Sequence, residues 1–196
     1  DLTQRSERKF QDMKKVVLLG DSIRQIGYGT KVPEMLGTDF SVWQPSDNCR
    51  FAEYTMRGVM YDWKNEIAGA DVIHWNNGLW DVCDLVGDGP FTPLVTYGEF
   101  MLRTLKVLRK TTDKIIFATT TPVTEQNPYN SNKVIDEFNA YIVPKLRAEG
   151  VVINDLNALV SSDIDRYIRK DDNIHLTDEG IDLCAAAVCE KIKSVL

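Results

Sequence analysis

The sequence predicts an α/β fold: a three-layer α/β/α domain built on a five-stranded parallel sheet. Three observations carry this. Five short apolar runs, each too short for a helix, are separated by stretches with helical spacing, which is the alternation that builds parallel sheets. The first run, Val16-Val17-Leu18-Leu19, is uninterrupted, as expected of a strand buried on both faces. It ends in Gly20-Asp21-Ser22, a tight exit followed by two good helix-capping residues. Right-handed crossovers then make the strand order 2-1-3-4-5, flavodoxin-like, the economical topology.

Taken in order, residues 1–13 are a polar lead-in, expected as a mobile segment or a short helix, and 14–196 form one domain without repeats or linkers. Strand one covers about 15–20. Gly27, Gly29 and Pro33 break the next stretch into a disrupted helix and a short one. Phe40-Ser41-Val42-Trp43 alternates and reads as strand two, with a turn-rich loop after it. Residues 53–68 read as a helix with Tyr54, Met60, Trp63 and Ile67 among its apolar positions. Strand three is 70–75, ending near His74. A long irregular connection holding Gly87, Gly89, Pro90 and Pro93 follows, the kind of segment that carries function more often than framework. Tyr97, Met101, Leu105 and Leu108 share one helical face, and 114–119 is strand four. Helix 131–149 contains Pro144, expected to kink it, and ends at Gly150 before strand five at 151–154. A polar segment leads to Asp172-Asn173-Ile174-His175 and a closing helix over 177–195.

Composition narrows the function classes. The 196 residues are 43% hydrophobic and 27% charged, with a formal charge of −6 and no basic stripe, which argues against a nucleic-acid partner. No apolar run approaches a membrane span. Cys49, Cys83, Cys184 and Cys189 have no zinc-like spacing with histidine and read as reduced core thiols. That favours the cytoplasm, a secreted or periplasmic location staying open if a signal peptide has been removed. Neither a metal nor a cofactor is implied, and the oligomeric state is left open.

Only two histidines compete for the role of a base. In Asp172-x-x-His175 a carboxylate can orient an imidazole towards a serine at the end of the first strand. The order Ser22, Asp172, His175 is that of serine hydrolases on α/β sheets. His74 reads as a structural histidine, Asp21 as a backbone-bonding residue, and Trp43, Trp63 and Trp75 as core supports.

At these residues the chain resembles the SGNH hydrolases, also called GDSL esterases/lipases, over about 14–196. Gly20-Asp21-Ser22-Ile23 is similar to the family's first block. Asp172-Asn173-Ile174-His175, followed by Leu176-Thr177 and Gly180, is similar to its last. The middle blocks depart. The usual Gly-x-Asn-Asp is here Gly78-Leu79-Trp80-Asp81, with Trp80 in the asparagine position. The second block lacks its glycine in Asp47-Asn48-Cys49-Arg50. The resemblance implies an ester hydrolase with Ser22 as nucleophile, His175 as base and Asp172 as its orienting partner. It implies an oxyanion hole made by the Ser22 N–H, a backbone N–H at Cys49 and the amide of Asn76, with Asn77 as second choice.

Arg24, Tyr28, Arg50 and Trp80 lie beside these blocks as candidate substrate contacts in a polar pocket. The expected substrate is a small acyl ester, acetyl in type, on a carbohydrate, because no sizeable apolar lid segment is apparent. The alternatives are a lysophospholipase or thioesterase of the same fold, and a non-catalytic carbohydrate-binding module on this scaffold.

Overall fold

The computed structural model describes residues 13–196, so the lead-in expected over 1–13 lies, but for Met13, outside the described residues. Five strands form one parallel sheet in the order β2-β1-β3-β4-β5: β1 Lys14–Leu19, β2 Phe40–Trp43, β3 Val72–Trp75, β4 Ile115–Ala118 and β5 Val152–Asn154. This is the expected topology. Val16 through Leu19 and all of β3 and β4 are buried, as central strands covered on both faces must be.

Two helical layers cover the sheet. The Asp178–Val195 helix packs with Val32–Leu36, Leu156–Ser161 and Ile164–Tyr167 on one face. The Ala52–Arg57, Leu94–Leu108 and Asn132–Ala148 helices pack together on the other. The chain leaves β1 for one edge strand, β2, and returns past it to β3 on the other side. The carboxyl ends of β1 and β3 therefore flank the point where strand order reverses, and open sheets of this kind bind ligands there.

Several elements depart from expectation. The helix expected over 53–68 is three pieces, Ala52–Arg57, a π-helical turn Gly58–Asp62 and Lys64–Ile67. The wider turn shifts the helical phase by part of a residue, so Met60 points to solvent while Ile67 stays buried. The ring of Trp63 lies where any Cβ on Gly58 would fall, 2.2 Å from its Cζ3, so only glycine admits that ring against the backbone. The polar stretch after β5 holds two short helices, Leu156–Ser161 and Ile164–Tyr167. Each is capped by an aspartate, Asp155 accepting from the Ala158 N–H and Asp163 from the Arg166 N–H. The Asn132–Ala148 helix carries through Pro144.

Candidate active site

Ser22 stands two residues beyond the Gly20 exit of β1, at the head of the π-helical turn Ile23–Gly27. Asp21, not Ser22, caps that turn: its Oδ1 accepts from the Ile23 N–H at 3.0 Å, and its carbonyl accepts from the N–H groups of Arg24 and Gln25. The serine hydroxyl is thereby left free for the cleft. Its Oγ lies 2.8 Å from His175 Nε2, and His175 Nδ1 lies 2.9 Å from Asp172 Oδ2. Residues 153 positions apart thus meet in one hydrogen-bonded relay.

The Asp172–His175 turn is built for this. Asn173 adopts a left-handed backbone, φ 64°, which asparagine tolerates better than most residues. That bend lets Asp172 Oδ1 accept from the N–H groups of Ile174 and His175 at 3.1 and 3.0 Å while Oδ2 faces the imidazole. Burial alone would raise the Asp172 carboxyl. The His175 N–H, the His175 ring and the Ile174 N–H outweigh it and hold the group below its ordinary value. Arg169 adds a cation 3.6 Å from Oδ2. The turn is tied to the loop after β4: Thr124 Oγ1 donates to Asn173 Oδ1 at 2.7 Å, and the Thr124 N–H donates to the Asn173 carbonyl at 3.2 Å. Thr124 and Asn173 were not singled out from sequence, where the only signal was the turn-rich Gln126-Asn127-Pro128 beside them.

Asn76 follows β3, its N–H donating to the Leu19 carbonyl at 3.0 Å. Its Oδ1 accepts from the Tyr28 hydroxyl at 2.7 Å. The amide lies flat on Gly20: a Cβ there would stand 1.9 Å from Asn76 Oδ1. Asn77 is fully occupied elsewhere, its Oδ1 accepting from Trp75 Nε1 and its Nδ2 donating to the Arg50 carbonyl at 3.0 Å and Thr55 Oγ1 at 2.9 Å. No amide proton of Asn77 is left for a ligand, which removes the second choice for the oxyanion.

Four further expectations are corrected. The Cys49 N–H donates to the Gly20 carbonyl at 3.1 Å, pinning the second loop to β1, and so cannot serve an oxyanion. Arg24 is fully buried and lines neither cleft. Its guanidinium donates to the carbonyls of Gly20, Pro45 and Asp47, because a buried charge must be met by acceptors. Tyr28 is likewise buried, its hydroxyl committed to Asn76; burial keeps it protonated, well above its ordinary pKa. Arg50, with φ 53°, stacks over Tyr54 at 4.6 Å and pairs with Asp47, away from the clefts described next. His74 is wholly buried, its Nε2 3.2 Å from Asn154 Nδ2, and burial pushes its pKa down to about 3, which makes it a neutral structural ring.

Two clefts open at Ser22. One, about 460 Å³, lies on the His175 side, with Arg169, Thr177 and Asp178 on its wall. The other, about 390 Å³, is not lined by His175 and is walled by Phe51, Leu79, Trp80, Leu85, Phe91, Tyr129 and Ile174, with Asp172 among its polar residues. Trp80, alone among the four expected substrate contacts, lines a cleft, and that cleft is apolar. The irregular segment after Asn77 supplies most of this wall. It is held by Asp81, buried, whose carboxylate accepts from the Ala52 N–H and the Thr92 hydroxyl. It is held also by Asn130 Nδ2 donating to the Leu79 carbonyl and by the Asp84 N–H donating to the Tyr129 carbonyl.

All four cysteines are free thiols, and burial raises those of Cys49 and Cys184 to about 11 and 12. Among the described residues no cluster of three or more His, Cys, Asp or Glu is placed to hold a metal. No described helix is long and apolar enough to cross a membrane.

No family model and no curated sequence matches the chain. Solved structures do. A lipase/acylhydrolase from Enterococcus faecalis superposes with a TM-score of 0.74 at 19% identity, covering 93% of this chain and 96% of that one. A catalytic mutant of an acetylxylan esterase from Geobacillus stearothermophilus gives 0.77 at 16% identity, covering 91% and 94%. A GDSL-like lipase from Bacteroides thetaiotaomicron gives 0.71 at 14% identity, covering 99% and 98%. In its fold, over nearly its whole length, the chain is similar to these structures, an α/β/α domain on a five-stranded parallel sheet.

Proposed function

We propose that the chain is a serine ester hydrolase in which Ser22, His175 and Asp172 act as nucleophile, base and orienting carboxylate. The observation that carries this is the relay itself, with both links at hydrogen-bond length and the serine hydroxyl opening onto two clefts. Ser22 Oγ attacks the ester carbonyl carbon while its proton passes to His175 Nε2. The carbonyl oxygen, now an anion, is met by the Ser22 N–H, which has no partner within the turn it begins, and by the Asn76 amide. With its Oδ1 held by the Tyr28 hydroxyl, Asn76 turns Nδ2 and its two protons to donation. The C–O bond to the alcohol then breaks and the alcohol leaves with the proton from Nε2. Water, passing a proton to His175, attacks the acyl-serine; the bond from the acyl carbon to Oγ breaks, Oγ takes the proton back from Nε2, and the acid is released.

For the substrate, a polar alcohol such as a sugar hydroxyl is supported by the Arg169 and Asp178 side chains in the His175-side cleft, and by the acetylxylan esterase among the superposed structures. A lysophospholipase or thioesterase of the same fold is the second reading, favoured by the apolar cleft. The test is labelling by a fluorophosphonate together with p-nitrophenyl acetate turnover. Native protein should label and turn over, and Ser22→Ala should do neither while keeping its circular dichroism. Turnover that survives in Ser22→Ala refutes the proposal, and failure of native protein to label points instead to a non-catalytic binding module.

A further inference from the structure

Resting on that hydrolase reading, we infer that the apolar cleft beside Ser22 is an acyl site, and that the preferred esters have an apolar acyl group several carbons longer than acetyl. The first ground is that the imidazole lines one cleft and not the other. His175 Nε2 must hand its proton to the departing oxygen, so the alcohol belongs on the imidazole side, where the cleft with Arg169 and Asp178 opens. The acyl substituent then takes the cleft that His175 does not line, walled by Phe51, Trp80, Leu85, Phe91 and Ile174.

The second ground is the chemistry of that wall. Its two amide side chains already bond within the wall. Asn130 Nδ2 donates to the Leu79 carbonyl at 2.8 Å, and Asn127 Oδ1 accepts from the N–H groups of Tyr129 and Asn130 at 3.0 and 2.7 Å. A sugar ring seated there would lose its water with few partners in exchange, whereas an alkyl chain or aryl ring would lose nothing. The third ground is exposure. Trp80, Leu85, Phe91 and Tyr129 stay 41–57% exposed around one mouth, an apolar rim next to a nucleophile and not a scattering of single residues. Phe51 braces it, with ring centroids 5.1 Å from Phe91 and 6.4 Å from Trp80. The cleft, about 390 Å³, is much larger than an acetyl group requires.

The experiment compares two ester series on the whole chain. In the first the alcohol is p-nitrophenol and the acyl group is acetyl, butyryl or hexanoyl. In the second the acyl group is acetyl and the alcohol is ethanol, butanol or hexanol, followed by pH-stat. Full burial of a methylene corresponds to roughly fourfold in kcat/KM, and the open mouth reduces that, so hexanoate should exceed acetate by at least about tenfold. The alcohol series should change by no more than about twofold. The pair Trp80→Ala and Phe91→Ser should cut the hexanoate-to-acetate ratio at least about fivefold, with folding checked by circular dichroism. A preference for acetate, a rise in the alcohol series instead, or a ratio untouched by the paired substitutions overturns the assignment. Fluorophosphonate labelling separates the two failures. Labelled Ser22 with acetate preferred sinks the acyl site alone, and an unlabelled protein sinks the hydrolase reading with it.

Discussion

Replacing Tyr28 by Phe removes one oxygen atom that never touches the clefts, yet turnover should fall. The Tyr28 hydroxyl donates to Asn76 Oδ1 at 2.7 Å, and this bond decides which end of the amide is free to meet the oxyanion. Without it Oδ1 is left buried and short of a donor, at a cost of about 1–3 kcal/mol, and the amide gains freedom to turn its oxygen towards a developing anion. Asn76→Ala, which deletes the donor outright, should lower kcat by about 100- to 1000-fold, corresponding to roughly 2.7–4 kcal/mol. Tyr28→Phe should lower it by roughly 10- to 100-fold with little change in KM, because the interaction exists only once the anion forms. The double mutant should then be no slower than Asn76→Ala, since the hydroxyl acts only through the amide. Steady-state kinetics on p-nitrophenyl esters, with urea melts of all three variants, make the cycle. Additive losses, or a Tyr28→Phe effect confined to KM, would refute the positioning role.

Two further outcomes concern stability. Burial lifts the Asp81 carboxyl from 3.8 to about 7, so the folded state prefers it protonated. Its contribution is therefore fully present below about pH 4 and is lost as pH rises towards 7, by about 4 kcal/mol at most. Asp81→Asn, a neutral isostere able to accept from Ala52 and Thr92, should flatten that decline in urea-melt stability between pH 4 and 7; a mutant that keeps the native slope contradicts it. Arg24→Met should destabilise by about 3–5 kcal/mol, because the carbonyls of Gly20, Pro45 and Asp47 lose their shared cation in a buried place. A chemical melt within 1 kcal/mol of native, roughly the measure of an exposed contact, would show that those carbonyls find other partners.

What could be read from the sequence was what is local. The apolar run before Gly20, the serine two residues on, and the three-residue spacing of Asp172 and His175 each act through neighbours in the chain, so their geometry follows from composition and turn chemistry. The readings that failed depend on what arrives from elsewhere. Arg24 and Tyr28 looked like pocket residues because polar side chains beside a nucleophile usually face it. Here the loop after β2 supplies acceptors to Arg24, and Asn76 and His74 engage Tyr28, which makes both internal scaffolding. Cys49 lost its expected role to a single backbone bond with Gly20 that no local pattern encodes. No apolar lid is apparent in the sequence because Leu79, Trp80, Leu85 and Phe91 have neither helical nor alternating spacing; they converge only where Asp81, Asp84 and Asn130 fold the loop on itself. The helices after β5 were missed for a milder reason. Each is six residues or shorter, below the length at which periodicity speaks, although their capping aspartates were in plain view.

Asn173 occupies one of the two unspecified places between the aspartate and the histidine, where any residue would satisfy the motif. Its side chain nevertheless moors the proton relay to the 124–130 strap, and that strap is also a bank of the apolar cleft. Whatever fills the cleft therefore leans on the same few residues that steady the imidazole. A lineage that widened this bank to admit bulkier guests would slacken its own catalytic hinge, so guest size and chemical speed are not free to drift independently in this molecule.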